Sequence, residues 1–340
     1  MKFAFMEYFR PKCVKMLKQD EKIERMESVL HKFMGIDAIF SPKVRHKDNI
    51  ACHPKVRYNK AIRRKNKNME KEIKHAGIKL IATDVDGTLV KDSSREVSQE
   101  VIETIQQLVD KGYYFMIASG RQYGSIRKMF APVNRNLLYI AENGAHIIKD
   151  GQNYAVTKMK REDVTAIMAQ LRSFYPEGCH VVASTDHGCF LESKDADFIH
   201  LIRDEYRNDV TLTDDILAHD VDIVKLAIYK KGSIREIGEK VLVPAWKDKV
   251  KACLAGEEWV DFMDASVDKG NAMKVVQEGL GITPQETMVF GDNENDIGLL
   301  KSAVCSYAVE NAKEIVKAAA AYTCPPYWEN GVLSVLKTLL

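Results

Sequence analysis

Short apolar runs alternate with segments of helical periodicity from residue 78 onward, and the alternation returns near the C-terminus. Short apolar runs between polar positions predict buried strands, whereas apolar residues at three- and four-residue steps predict helices. The predicted strands cover residues 78–83, 113–118, 137–141, 287–290 and 304–308. The predicted helices cover residues 97–111, 121–131, 269–280, 294–301 and 311–319. This alternation is typical of an α/β fold with a doubly wound parallel sheet and helices on both faces.

Residues 151–264 follow a different pattern. The candidate strands of this region are 180–184, 188–192, 222–229 and 258–263, and the candidate helices are 161–174, 195–206 and 234–246. Their mixture predicts an α+β domain inserted into the α/β domain. The expected organisation is therefore a basic extension over 1–75, a core domain over 76–150 and 265–340, and an inserted domain over 151–264.

The N-terminal part of the chain has a character of its own. Apolar residues at helical spacing predict an amphipathic helix over 12–34, with Gly35 as its stop. Residues 41–67 contain ten Lys or Arg and one Asp. The net charge of +2 hides this asymmetry, because residues 1–75 carry 20 basic and 9 acidic side chains while the rest carry 30 and 39. We therefore expect a basic extension, first helical and then irregular, attached to an acidic body.

Composition narrows the class of protein. The 340 residues are 46% hydrophobic and 29% charged, values that are ordinary for a globular protein and argue against a disordered chain. No stretch approaches the roughly 20 apolar residues that cross a bilayer, and the N-terminus lacks the apolar segment of a secretory signal. Seven scattered cysteines without a Cys-x-x-Cys pair indicate reduced thiols. The expected location is the cytoplasm, with no membrane partner.

Two carboxylates separated by one residue follow the first predicted strand. Asp84 and Asp86 belong to the sequence Asp-Val-Asp-Gly-Thr-Leu, and side chains at positions i and i+2 of an extended chain lie on the same side. Both would project from the carboxyl end of a strand, where open α/β sheets bind ligands. A solvated Asp-Gly turn is the plain alternative for this motif taken by itself.

Other strand ends carry polar groups as well. The second strand delivers Ser119, in the sequence Ser-Gly-Arg, directly before a helix, where a hydroxyl and free N–H groups suit phosphate oxygens. The third strand ends at residues 142–145, which are typical of a turn. A later strand meets Asp292, Asn295 and Asp296 in the sequence Gly-Asp-Asn-Glu-Asn-Asp.

The four aspartates need compensating positive charge if they share one crevice. Like charges at short range repel and raise each other's pKa. A hard divalent cation with a preference for oxygen ligands, Mg2+, resolves this, and Lys269 at the start of a predicted helix can supply a second positive charge. A metal, an ammonium group, hydroxyl and amide donors, and a carboxylate able to attack phosphorus are what phosphoryl transfer demands.

Residues 76–340 resemble the haloacid dehalogenase superfamily of phosphohydrolases, and in particular its Cof-type branch, subfamily IIB. The resemblance rests on four motifs in order: the sequence that begins at Asp84, Ser119-Gly-Arg, Lys269-Gly, and the acidic sequence that ends at Asp296. It implies a Rossmann-like core with an inserted α+β cap domain of the C2/IIB type. Residues 151–264 fit that cap, because they lie between the third strand and the third motif.

The resemblance implies a role for each motif residue. Asp84 would be the nucleophile that forms an aspartyl-phosphate, and Asp86 would protonate the leaving alcohol and then activate water. Mg2+ would be held by the Asp84 carboxylate, the Asp86 backbone carbonyl and Asp292, with Asp296 orienting the waters of the metal. The residues implied to hold the phosphoryl oxygens are Ser119, Lys269 and Asn295.

The expected function is a Mg2+-dependent phosphatase of small phosphorylated metabolites, and the resemblance favours sugar phosphates. A phosphomutase that uses the same aspartyl-phosphate is the alternative within enzymes. The cap offers few candidates for substrate contact: Lys225 lies in a buried strand, whereas His187 is expected in a surface turn. Tyr327 stands where the family often has an Asn, so no substrate contact is carried over to that position.

A different class of function would use the basic extension. Seven cationic residues within 41–67 could contact nucleic-acid phosphates, with Tyr58 among them. They are Lys43, Arg45, Lys55, Arg57, Arg63, Arg64 and Lys65. Charge runs are more often solvated tails, so the expected partner is a small phosphomonoester rather than a nucleic acid.

Overall fold

The structure is a computed structural model that describes residues 75, 77–91, 94–133 and 137–340. The predicted N-terminal helix over 12–34 and the basic segment over 41–67 lie outside the described residues, and so the proposed use of that segment stays a prediction. Among the described residues, no helix combines the length and apolar character needed to cross a membrane.

An eight-stranded sheet forms the first layer. Its strands are β1 Leu80–Thr83, β2 Tyr114–Ala118, β3 Leu138–Ala141, β4 His146–Lys149, β5 Gln152–Val156, β12 Thr287–Gly291, β13 Cys305–Val309 and β14 Tyr322–Cys324. The spatial order is β14-β13-β12-β1-β2-β3-β4-β5. The six strands from β14 to β3 are parallel, and β4 and β5 add an antiparallel pair at one edge.

Helices pack against this sheet. They are α1 Gln99–Asp110, α2 Tyr123–Met129, α7 Lys269–Leu280, α8 Ile297–Lys301, α9 Glu314–Lys317 and α10 Gly331–Leu336. Strand β1 is buried along its whole length, which explains the apolar run Leu80–Ala82 that precedes Thr83. Helix α1 buries Val101, Ile105 and Leu108 at helical spacing, and the Ser98 side chain accepts a hydrogen bond from the Val101 N–H at its start.

A second, six-stranded sheet lies between β5 and α7 in the chain. Its strands are β6 Cys179–Ser184, β7 Cys189–Leu191, β8 Val210–Leu212, β9 Lys225–Lys230, β10 Lys251–Leu254 and β11 Trp259–Met263, in the order β10-β11-β9-β6-β7-β8. The helices of this region are α3 Arg161–Arg172, α4 Ala196–His200, α5 Arg235–Ile237 and α6 Val243–Trp246. Apolar residues of α3, such as Ile167, share a buried core with Leu226 and Phe262 of the sheet.

The predicted fold class is confirmed, since a mainly parallel α/β core carries an inserted α+β cap. The hairpin of β4 and β5 was not predicted, because β5 is largely exposed and lacks an apolar run. The helix expected over 195–206 ends at His200 and continues as a π-helical turn over Leu201–Glu205. The exact domain limits stay a prediction, although β5 pairs with β4 in the core sheet.

Candidate active site

The carboxyl ends of neighbouring parallel strands bring the predicted residues to one edge of the core sheet. Asp84 follows β1, Ser119 follows β2, and Asp292 follows β12. The strand ladder continues one residue past the strand ends, because the Asp84 N–H donates to the Phe290 carbonyl at 3.0 Å and the Ser119 N–H to the Ile140 carbonyl at 2.8 Å. The backbone therefore fixes where these side chains begin.

Lys269 is the first residue of α7 and is completely buried. Its Nζ donates to Asp84 Oδ1 and to Asp296 Oδ1, both at 2.7 Å. Burial alone would lower the pKa of Lys269, but the carboxylates of Asp296 and Asp84 raise it above its ordinary value. The ammonium group therefore stays charged and links the ends of β1 and β12.

Three carboxylates lie close together around the Lys269 ammonium group. Asp84, Asp292 and Asp296 each place a carboxylate oxygen within 4.8 Å of the others. Burial, followed by repulsion from Asp296, raises the pKa of Asp84 well above its ordinary value, although Lys269 opposes the shift. The same two causes raise the pKa of Asp292 to about 6. A divalent cation would offset this excess of negative charge, and oxygen ligands of this kind suit Mg2+.

The turn after β1 packs directly on Asp292. Gly87 has φ of +79°, and a Cβ at this position would lie 2.3 Å from Asp292 Oδ2, so only glycine fits. Thr88 Oγ1 donates to Asp292 Oδ1 at 3.0 Å. The Asp-Gly turn therefore holds Asp292, which follows β12, in place. A turn that is merely solvated would not make these contacts.

Asp86 lies apart from this acidic cluster and pairs with Arg121. Arg121 Nε donates to Asp86 Oδ2 at 2.7 Å, and Nη2 donates to Oδ1 at 2.5 Å. The side chains of both residues remain partly exposed. Ser119 is buried, and its Oγ accepts a hydrogen bond from the Arg121 N–H at 3.1 Å. Arg121, the third residue of the Ser-Gly-Arg motif, therefore holds Asp86 in place. The sequence analysis did not predict this contact.

The Asn295 side chain is hydrogen-bonded to the turn that follows β3. Its Nδ2 donates to Asn143 Oδ1 at 3.0 Å, and Asn143 Nδ2 lies 3.9 Å from Met263 Sδ in the cap. Asn143 has φ of +57° and Glu142 has φ of +50°, conformations that non-glycine residues rarely adopt. The turn expected after the third strand is thus part of the site. Its strained backbone carries Asn143, whose side chain accepts the hydrogen bond from Asn295.

A buried ion cluster joins the cap to the Ser-Gly-Arg motif. Lys225, at the start of β9, donates from Nζ to the Gly120 carbonyl at 3.0 Å. The same ammonium group forms ion pairs with Glu142 and, at 3.4 Å, with Asp261 Oδ2 of β11. Burial alone would lower the pKa of Lys225, but Asp261 and Glu142 raise it. Lys225 was a candidate from the sequence, whereas its two acidic partners were not, because only tertiary folding brings them together.

A cavity of about 1280 Å3 opens between the core and the cap sheet. From the core, its lining includes Asp84, Asp86, Ser119, Asp292 and Asn295. From the cap, the lining includes Lys225, Glu257 and Glu258. His187 is 83% exposed in its turn and is not among the lining residues, as expected from the sequence.

A sequence profile of the haloacid dehalogenase-like hydrolases matches residues 81–336. The chain belongs to this family. Among curated relatives, the 5-amino-6-(5-phospho-D-ribitylamino)uracil phosphatase YbjI of Escherichia coli is 27% identical over 263 residues, which cover 77% of this chain and 96% of the relative. The phosphatase YcsE of Bacillus subtilis, named for the same substrate, is 27% identical over 261 residues, 76% of this chain and 95% of the relative.

A crystal structure from Eubacterium rectale is similar over its whole length. It is 41% identical, covers 78% of this chain and 100% of its own, and superposes with a TM-score of 0.70. The family predicted from the four motifs is therefore confirmed, and the haloacid dehalogenase-like hydrolase described here is an enzyme of the phosphatase class. The roles of individual residues stay predictions.

Proposed function

We propose that the protein is a Mg2+-dependent phosphatase that hydrolyses small phosphorylated metabolites through an aspartyl-phosphate on Asp84. The observation that carries the proposal is the buried cluster of Asp84, Asp292 and Asp296 around the Lys269 ammonium group, at the floor of a cavity large enough for a metabolite. Membership of the hydrolase family supports it.

The donor set fits Mg2+. The three carboxylates supply hard oxygen ligands, and the raised pKa values of Asp84 and Asp292 indicate that their charge is not balanced by the protein alone. Asp84, Asp292 and the Asp86 carbonyl would hold the ion, and Asp296 would orient its waters. When bound, Mg2+ would draw negative charge from the phosphoryl oxygens and let an anionic nucleophile approach them.

In the first step, an Asp84 carboxylate oxygen attacks phosphorus and the bond from phosphorus to the leaving oxygen breaks. Asp84 Oδ1 accepts from Lys269, which orients the carboxylate so that its other oxygen can attack. The Lys269 ammonium group, the Ser119 hydroxyl and the Asn295 amide would bind phosphoryl oxygens as charge moves onto them. Protonated Asp86 gives its proton to the leaving oxygen, which departs as an alcohol.

In the second step, a water molecule attacks phosphorus of the aspartyl-phosphate. Asp86 takes a proton from that water, the bond from Asp84 to phosphorus breaks, and inorganic phosphate leaves with Asp84 restored. Asp86 therefore ends with the proton that the next cycle needs. Because one carboxyl group serves as acid and then as base, its position must be kept through both steps.

The cavity supports a metabolite as substrate rather than a macromolecule. The cap sheet covers the catalytic edge, and the cap contacts the core at Lys225 and again where Gln122 Nε2 donates to Ser184 Oγ at 2.8 Å. Sugar phosphates are the first class to test. The substrate for which the relatives YbjI and YcsE are named, a ribitylaminouracil phosphate, is the second.

The test is a screen of phosphorylated metabolites with and without Mg2+, read as release of inorganic phosphate. We expect release that needs Mg2+, and a loss of at least about a thousandfold in kcat for Asp84→Asn with an unchanged circular dichroism spectrum. Acid quenching should trap labelled phosphate on the wild-type chain but not on Asp84→Asn. Turnover by Asp84→Asn would overturn the nucleophile, and isomerised sugar phosphate without phosphate release would indicate a mutase.

A further inference from the structure

Alternate residues of the cap strands face the catalytic cavity. On β6, β9 and β11, Val182, Ala227 and Asp261 line the cavity. The residues between them, such as Leu226 and Val260, belong to the buried core on the opposite face. Side chains alternate across a strand, so every second residue of these three strands lies on the face that borders the cavity, where Phe198 of α4 covers part of it.

The registers of these strands divide the wall into three rows. The row beside the catalytic core is Ser184, Lys225 and Met263; the second is Val182, Ala227 and Asp261; the third is His180, Tyr229 and Trp259. The first and third rows are four residues apart along each strand, which corresponds to about 13 Å. The wall is therefore longer than a simple sugar phosphate.

The three rows differ in chemistry. The first is polar and contacts the core through Lys225 and Ser184. The second combines the small side chains of Val182 and Ala227 with the Asp261 carboxylate, and all three residues line the cavity. A narrow chain that carries hydroxyl groups fits this part of the cavity, because Asp261 can accept their hydrogen bonds.

The third row is aromatic. The Trp259 and Tyr229 rings lie 4.8 Å apart, and Tyr206, from the segment above the sheet, lies 6.1 Å from Trp259. Phe198 stacks on His180 and Tyr229, which do not line the cavity, whereas Trp259 and Tyr206 both line it. Aromatic side chains that border a polar cavity bind flat unsaturated rings in offset or edge-to-face contact.

Asn208 supplies an independent indication of a ligand. It lies two residues after Tyr206, lines the same cavity and is 9% exposed. Its Oδ1 accepts no hydrogen bond within the part of the chain that the structure describes. A buried acceptor without a donor costs free energy, which a ligand N–H or hydroxyl group recovers.

We propose that Trp259 and Tyr206 form a subsite for a planar unsaturated ring at the far end of the leaving group. The substrate is then a phosphomonoester whose hydroxylated chain joins the phosphate to such a ring. This inference rests on the proposed function, since it places the phosphate at Asp84 and the ring at the third row of the cap.

The experiment compares two phosphomonoesters that differ only in the ring: flavin mononucleotide, and ribitol phosphate as its ring-free counterpart. We expect kcat/KM to favour flavin mononucleotide by about tenfold in the full-length wild-type enzyme, an effect of the size of one aromatic contact. Trp259→Leu and Tyr206→Leu should each remove most of this preference through KM, and change kcat/KM for ribitol phosphate far less than kcat/KM for flavin mononucleotide. Trp328→Leu, at a 62% exposed tryptophan outside the cavity, is the matched control and should keep the preference.

Binding separates this inference from the phosphatase mechanism. Flavin fluorescence reports the Kd of flavin mononucleotide for the Asp84→Asn variant, and competition reports that of ribitol phosphate. A Kd that rises about tenfold when Trp259→Leu is added supports the subsite, even if neither compound is hydrolysed. Equal affinity for the two compounds, or a ring preference that survives both aromatic substitutions, overturns the subsite while leaving Asp84 as nucleophile.

Discussion

Arg121 binds both carboxylate oxygens of Asp86, one through Nε and the other through Nη2. A carboxylate in a two-point contact with guanidinium is fixed in orientation, since the planar fork matches its geometry. The residue proposed as acid and base must nevertheless reach the leaving oxygen. We therefore expect that a bound phosphate group that attracts Arg121 would free one oxygen of Asp86.

Replacing Arg121 by Lys keeps the positive charge but removes the two-point contact. We expect Arg121→Lys to lower kcat by about tenfold with a smaller change in KM, because Asp86 loses its orientation. Steady-state kinetics with one phosphomonoester measures this. Arg127→Lys, at an exposed arginine on helix α2, which begins two residues after Arg121, is the control. Equal kinetics for Arg121→Lys and wild type would mean that the pair does not position Asp86.

Asp292→Asn replaces a carboxylate by a neutral amide of similar size and so removes one negative charge from the acidic cluster. We expect the Mg2+ concentration for half-maximal activity to rise by about tenfold or more, because the cluster loses a carboxylate ligand. The shift of Tm with added Mg2+ should fall as well, and this readout does not depend on turnover. Glu294→Gln, two residues away but exposed and paired with Lys313, should behave as wild type. An unchanged Mg2+ response of Asp292→Asn would remove Asp292 from the metal site.

Lys225→Met leaves Glu142 and Asp261 buried without their cation. Breaking a buried ion pair by removing one partner costs about 3–5 kcal/mol, so we expect a loss of that size in the free energy of unfolding. Urea denaturation measures it. The Gly120 carbonyl also loses a donor, so kcat should fall in the fraction that remains folded. Lys230→Met is the control. Lys230 lies on the same strand, but its ion pair with Glu177 is longer, at 3.7 Å, and more exposed, so its loss should change stability little.

His146 makes stability depend on pH. Burial lowers its pKa below the ordinary value of 6.5, although the hydrogen bond to Asn153 opposes the shift. The folded state therefore favours the neutral ring, and this contribution to stability is complete above pH 6.5 and is lost as the pH falls toward the lower folded pKa. The difference in unfolding free energy between wild type and His146→Gln should shrink between pH 7 and pH 5. A constant difference for His146→Gln across this pH range would contradict the prediction.

The sequence predicted the catalytic edge because that edge is a consequence of strand order. Apolar runs locate parallel strands, and the polar residues that follow them must meet at the carboxyl ends. Asp84, Ser119 and Asp292 were found in this way. In the structure each of them directly follows its strand, β1, β2 or β12. Local patterning was enough here because each residue is attached directly to its strand.

The contacts between distant elements could not be predicted from the sequence. Glu142 follows a strand of the core and Asp261 lies on a cap strand, and only the packing of the cap brings both to Lys225. The pairing of Arg121 with Asp86 also depends on side-chain conformation. The aromatic row of Trp259 and Tyr229 follows from strand register, which the sequence does not give.

The position of β1 in the core sheet has a consequence for synthesis. β1 is made early, but one of its two neighbours is β12, so Leu80 pairs with Thr287 across the whole length of the cap. On the ribosome, one edge of β1 therefore has no β12 to pair with until the chain has reached residue 291. An unpaired apolar edge is prone to pair with another chain, so the nascent enzyme is at greatest risk of aggregation while its cap is being made. Folding of the cap as soon as it has been made would bring the newly made α7 and β12 close to β1 and shorten the exposure.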